Sequence, residues 1–123
     1  MGPLKDGWTE EDVAAIIARD IPDELLYVPI VISLDSPDCA WSEAVCISLT
    51  HHPHFNVRGN AILGLGHLAR LCGQLDWVTV LPAISRALSD DHEYVRMHAN
   101  DVAGDLLHGD GIHVPGYVST HIT

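Results

Sequence analysis

Basic residues are scarce in this chain: six lysines and arginines stand against seventeen aspartates and glutamates, a formal net charge of -11. Such a field repels nucleic acid and attracts basic partners. Long apolar runs are missing too, since none approaches the roughly 18 residues needed to cross a bilayer. The opening stretch MGPLKDGWTEEDV has no apolar signal core behind Lys5. A cytoplasmic protein with no membrane and no nucleic-acid partner is therefore expected. Cysteine is sparse, and Cys39, Cys46 and Cys72 make an odd number without C-x-x-C spacing. Reduced, mostly buried thiols are the expectation. No serine lies in a nucleophile elbow, no carboxylate pair stands out, and Cys46 and Cys72 fall on apolar helical faces rather than beside a base. A non-enzyme without cofactor or metal follows from these gaps.

What is present is a chain of 123 residues, 47% hydrophobic. That suits one helical domain over 1–108 with an irregular tail over 109–123, the tail being rich in glycine and without a period. Two apparent motifs need weighing. GLGHLA, from Gly64 to Ala69, fits the G-x-G-x-x-A dinucleotide pattern, but that pattern works only at a turn after a strand. Here it falls inside a helical period. His51, His52, His54 and His67, with His92 and His98, suggest zinc, yet no cysteine has the short spacing that structural zinc sites use. His51, His52 and His54 are read instead as an exposed inter-helix turn, broken by Pro53.

An internal repeat organises the rest. VRGNAILGLGHLA (Val57 to Ala69) lies over VRMHANDVAGDLL (Val95 to Leu107) at a shift of 38, pairing Val57 with Val95, Arg58 with Arg96, Ala61 with Ala99, Gly66 with Gly104 and Leu68 with Leu106. Upstream, EAVCISLT (Glu43 to Thr50) matches PAISRALS (Pro82 to Ser89), so the unit is two segments and a short turn. Val57, Ala61, Leu65, Leu68 and Cys72 recur at intervals of three and four, as do Val95, Ala99, Ala103 and Leu106. These are core-facing helical stripes. Gly59, Gly64 and Gly66 each cost a helix about 1 kcal/mol against alanine, which points to close backbone approach there. Thr9 is expected to cap a first helix ending before Pro22, and the T-x-x-D sequence after it predicts a capping box. From Asp23 to about Val28 a short helix is predicted, then an apolar stretch to Leu34, helical or extended, and a loop through Pro37.

With Pro82 in a first helix, Asp90 and Asp91 in a turn, and Val95-Arg96 opening a second helix, VLPAISRALSDDHEYVRMHANDVAG resembles a HEAT repeat. The resemblance implies an all-α fold, a short alpha-alpha superhelix of two clear and one degenerate helix pairs. It further implies a ladder in which Arg96 pairs with Asp90 or Asp91, and Arg58 with an acidic group of the neighbouring unit. His51, His52 and His54 stand where the first unit would carry its aspartates. LLYVPIVISLDS, NVRGNAILGLGHLAR and EYVRMHA, with the acidic balance, are similar to small bacterial HEAT-like immunity proteins of contact-dependent growth inhibition systems. That likeness implies a protein that binds and neutralises a cognate toxin, such as a nuclease with a basic cleft. The alternative is a HEAT scaffold or lyase-like protein acting on tetrapyrrole-bearing subunits.

A binding surface is then expected on the sides of the second helices away from the core: Asn60, Leu63, His67 and Arg70 on one, His98, Asp101, Asp105 and His108 on its twin. Asp35, Asp38 and Glu43 are expected to widen it into an acidic groove that takes a lysine-rich patch of a basic toxin domain. Trp41, Trp77 and Tyr94, near the segment ends, are read as core residues, with interface anchors as the alternative. The chain is expected to be a monomer or small homo-oligomer, with the first helix and the tail as end caps.

Overall fold

Thr9 accepts a hydrogen bond from the Asp12 N–H while the Asp12 carboxylate accepts from the Thr9 N–H, and this reciprocal box starts the first helix, α1 (Glu10–Arg19). In the computed structural model, which describes residues 1–36 and 38–119, six further helices follow: α2 (Pro22–Leu25), α3 (Val28–Leu34), α4 (Cys39–Leu49), α5 (Phe55–Cys72), α6 (Trp77–Ala87) and α7 (Glu93–Asp110). No strand occurs among the described residues, so the fold is all-α. The stretch left open as helical or extended is helical. Pro29 sits in the first turn of α3, where its missing N–H has no helical partner to lose. None of the described helices is long and apolar enough to cross a membrane.

Helices α3, α5 and α7 lie side by side in that order, with α4 packed on α3 and α5, and α6 on α7, α5 and α4. Glycine sets the spacing. A Cβ built on Gly64 would stand 2.9 Å from the Pro29 carbonyl oxygen and 3.0 Å from Cys46 Sγ; on Gly66 it would stand 2.8 Å from Val102. At Gly59 it would strike the Tyr94 ring at 2.5 Å. The expected close approach is therefore present, and these contacts run α5 parallel to α7. The core stripes are buried as expected, with Val57, Ala61, Leu65, Leu68, Val95, Ala99, Ala103 and Leu106 all in the central cluster.

The thiol expectation is overturned for two of the three cysteines. Cys39 and Cys72 form a disulfide, with Cα atoms 6.1 Å apart. Its cause is topological: α4 and α5 form a hairpin, so the first residue of one helix meets the last residue of the other. Cys46 alone is a free, buried thiol, pushed up to about 12 by burial and by the nearby Glu43 charge.

The segments before α1 and directly after α7 fold back on the helices. Leu4 is buried and Trp8 stacks on Trp41, with ring centres 6.0 Å apart. After α7 the chain is irregular but docked: Val114 is fully buried, Ser85 Oγ donates to the Pro115 carbonyl, and Tyr117 covers Gly104. The helix itself continues to Asp110, two residues past the expected boundary. Residues 120–123 of the predicted tail lie outside the described residues.

Candidate functional site

Of the two expected arginine–carboxylate pairs, the one from Arg58 forms, and its partner is Asp90. Arg58 forks onto Asp90, Nη2 donating to Oδ1 at 2.8 Å and Nε to Oδ2 at 2.9 Å, with side-chain exposures of only 19% and 16%. Hydrogen bonding to this guanidinium holds the Asp90 carboxyl below its ordinary pKa, although partial burial opposes it. Arg96 pairs with no carboxylate among the described residues; its Nη1 donates to the Asp90 backbone carbonyl at 2.7 Å. Both Asp90 oxygens already serve Arg58, and Oδ1 also accepts from the His92 N–H, so the expected Arg96 pairing is replaced. Asp91 is exposed and takes no part in the fork. Arg58 Nη1 repeats the Arg96 contact one unit earlier, donating to the His52 carbonyl at 3.2 Å and to that of Pro53 at 2.8 Å.

The histidines of the first turn are not idle. His52 occupies the position of Asp90, its Nδ1 accepts from the His54 N–H, and its Nε2 lies 2.6 Å from Asp20 Oδ1 on the preceding unit. His54 and His92 are repeat-equivalent N-caps, their Nδ1 atoms accepting from the Asn56 and Tyr94 N–H groups. Phe55 stacks against His92 with ring centres 3.7 Å apart. The half-buried character of His52 and His54 corrects the reading of an exposed turn. Among the described residues no group of three or more His, Cys, Asp and Glu is arranged to hold a metal.

Across the row of second helices runs a polar strip. Asn60 was expected on the binding surface, but it is only 7% exposed: Nδ2 donates to the Leu26 carbonyl, and Oδ1 accepts from the Tyr94 hydroxyl. It joins α7, α5 and the α2–α3 link internally, because Gly59 lets the Tyr94 ring lie over α5. His67 is half-buried, its Nδ1 3.0 Å from Ser33 Oγ of α3. His98 is half-buried beneath Tyr94, edge-on at 4.6 Å. Arg70, Asp101 and Asp105 are exposed as expected.

Beyond Gly66 and Val102, the C-terminal halves of α5 and α7 enclose a groove of about 680 Å³. Its floor is Gly66, Ala69, Val102 and Leu106, and its rim carries Arg70, Asp105, His108 and Asp110. Of the residues expected at the partner surface, it brings together Arg70, Asp105 and His108. Asp35 and Asp38 do not line it: Asp35 lies beside Gly7 and Trp8, and Asp38 caps α4 by accepting from the Trp41 N–H at 3.1 Å. Glu43 accepts from the Asp76 N–H instead, at 2.7 Å.

Burial lowers the pKa of His67, helped by Arg70 and His98; burial also lowers that of His98, with Asp101 opposing. Lowered folded-state values mean that these imidazoles contribute stability above the unfolded value of about 6.5, lost as pH falls below it. Asp90, also lowered, contributes above the ordinary carboxyl value and loses its share only as pH falls through its folded value. Thermal unfolding is therefore expected to show two acid steps, the first between about pH 7 and 5. A His67→Asn/His98→Asn variant should lack the first step and keep the second. A first step of undiminished size in that variant would assign it elsewhere.

No family model matches the chain, and no curated protein or solved structure is found to be similar to it.

Proposed function

We propose that this chain is a non-catalytic, cytoplasmic protein-binding module of stacked HEAT-like helix pairs, and specifically an immunity protein that neutralises a cognate toxin with a basic surface, such as a nuclease. The main support is the groove between α5 and α7, whose α7 side carries Asp105 and Asp110 on a chain of net charge -11. The repeated arginine contact, Arg58 to the His52 carbonyl and Arg96 to that of Asp90, supports reading the helix pairs as units of one repeat. Acidic complementarity would quicken association by about ten-fold or more at low salt, since fields of this size steer encounter. The protein encoded immediately upstream is the partner to test with this one, both purified, by titration calorimetry. Tight binding is expected, and no binding between the clean pair would defeat the reading. Lysine at both Asp101 and Asp105 should weaken binding about ten-fold and flatten its salt dependence. Unchanged affinity would move the interface to another face.

A further inference from the structure

Glycines with helical backbone in this fold are mostly explained by packing. Gly59 admits Tyr94, Gly64 the Pro29 carbonyl, Gly66 Val102 and Gly104 Tyr117. Gly109 is different. It lies inside the last turn of α7 with helical backbone, and a Cβ built there would meet nothing within 4 Å. A helical glycine costs about 1 kcal/mol against alanine, so no fold contact explains its presence. It lines the α5–α7 groove, beside Asp105, His108 and Asp110.

The groove's other features agree on one kind of occupant. Its floor is apolar, with Val102 and Leu106 each 3% exposed. Both helices that form it end there, α5 at Cys72 and α7 at Asp110, so two negative dipole ends meet at its mouth. Ile112 and Gly111 N–H groups close α7, whereas Gly73 returns no such bond to α5 among the described residues, leaving last-turn carbonyls of α5 open. Asp105 and Asp110 stand on the α7 rim, and Arg70 on the α5 rim forms no ion pair among the described residues.

We infer that this groove seats an extended segment of the protein partner carrying a lysine or arginine. The aliphatic stem of that side chain lies on Ala69, Val102 and Leu106. Its charged head meets Asp105, Asp110 and the open carbonyls of α5. Gly109 lets the segment's backbone come against α7, and Arg70 donates to its carbonyls. This rests on the protein-binding reading and names the part of the partner that the groove recognises.

An acetylated, amidated decapeptide of alternating glycine and lysine is the probe, with its glutamate counterpart as control, titrated into the whole chain and followed by backbone amide NMR. The lysine peptide should shift the amides of Ala69, Gly73, Asp105 and Gly109 first, and the glutamate peptide should not. Asp105→Asn with Asp110→Asn should weaken it about five-fold or more, while the charge-matched control Asp6→Asn with Asp23→Asn leaves it unchanged. Gly109→Leu should weaken it without loss of stability, since its side chain fills open space. Should the shifts spread over all carboxylates, or Asp6→Asn with Asp23→Asn weaken binding equally, the peptide senses only the overall field and the inference falls. Absence of any lysine-peptide binding also overturns it. If the upstream partner binds Gly109→Leu as tightly as the natural chain, the groove is not its seat, although the protein-binding reading stands.

Discussion

Reducing the Cys39–Cys72 disulfide is expected to lower the stability of the folded chain by about 3–4 kcal/mol, because opening a loop of this length returns that much conformational freedom to the unfolded state. The bond joins residues 33 apart and fixes the start of α4 to the end of α5. Urea unfolding with and without a dithiol reductant measures the difference, and Cys39→Ser should reproduce it without reductant. Equal midpoints would show that the hairpin is held fully by its core. The same bond bears on the proposed cytoplasmic placement, because glutathione keeps most thiols reduced there. Protein alkylated at the moment of cell lysis should then carry label on Cys39 and Cys72. Cys46, buried and a poor thiolate former, should take label only after unfolding.

Arg58→Ala is expected to cost about 2–3 kcal/mol, below the full figure for breaking a buried pair because some water reaches both partners. The variant removes the fork on Asp90 and also the donors to the His52 and Pro53 carbonyls, so it frees two turns at once. Arg58→Lys should recover less than half of the loss, since an ammonium cannot grip both carboxylate oxygens and the carbonyls together. A double-mutant cycle with Asp90→Ala isolates the pair, and a coupling near zero would reduce the fork to a surface ornament.

Legibility in the sequence divides along physical lines. The stripes from Val57 to Leu68 and from Val95 to Leu106 were readable because burial imposes a period, and Thr9 because a cap needs a side-chain oxygen at a fixed offset. Helical spacing also placed Arg70, Asp101 and Asp105 on exposed faces. It fails for Asn60 because the side opposite the stripe is itself covered there: the neighbouring Gly59 allows the Tyr94 hydroxyl to reach and satisfy the amide inside. The cysteine bridge escaped because its two residues are distant in sequence and meet only through the reversal of direction between α4 and α5. Histidine caps escaped because caps are sought among serine, threonine, aspartate and asparagine, although an unprotonated Nδ1 accepts equally well.

The docked tail changes what the 38-residue symmetry means. Gly66 and Gly104 are equivalent positions; the first receives Val102 from the next helix, and the second receives Tyr117 from the tail. One aromatic ring thus takes at Gly104 the place that a helix side chain takes at Gly66. With Tyr117 seated and Val114 buried, the chain's own tail shields the part of α7 that the repeat alone would leave bare.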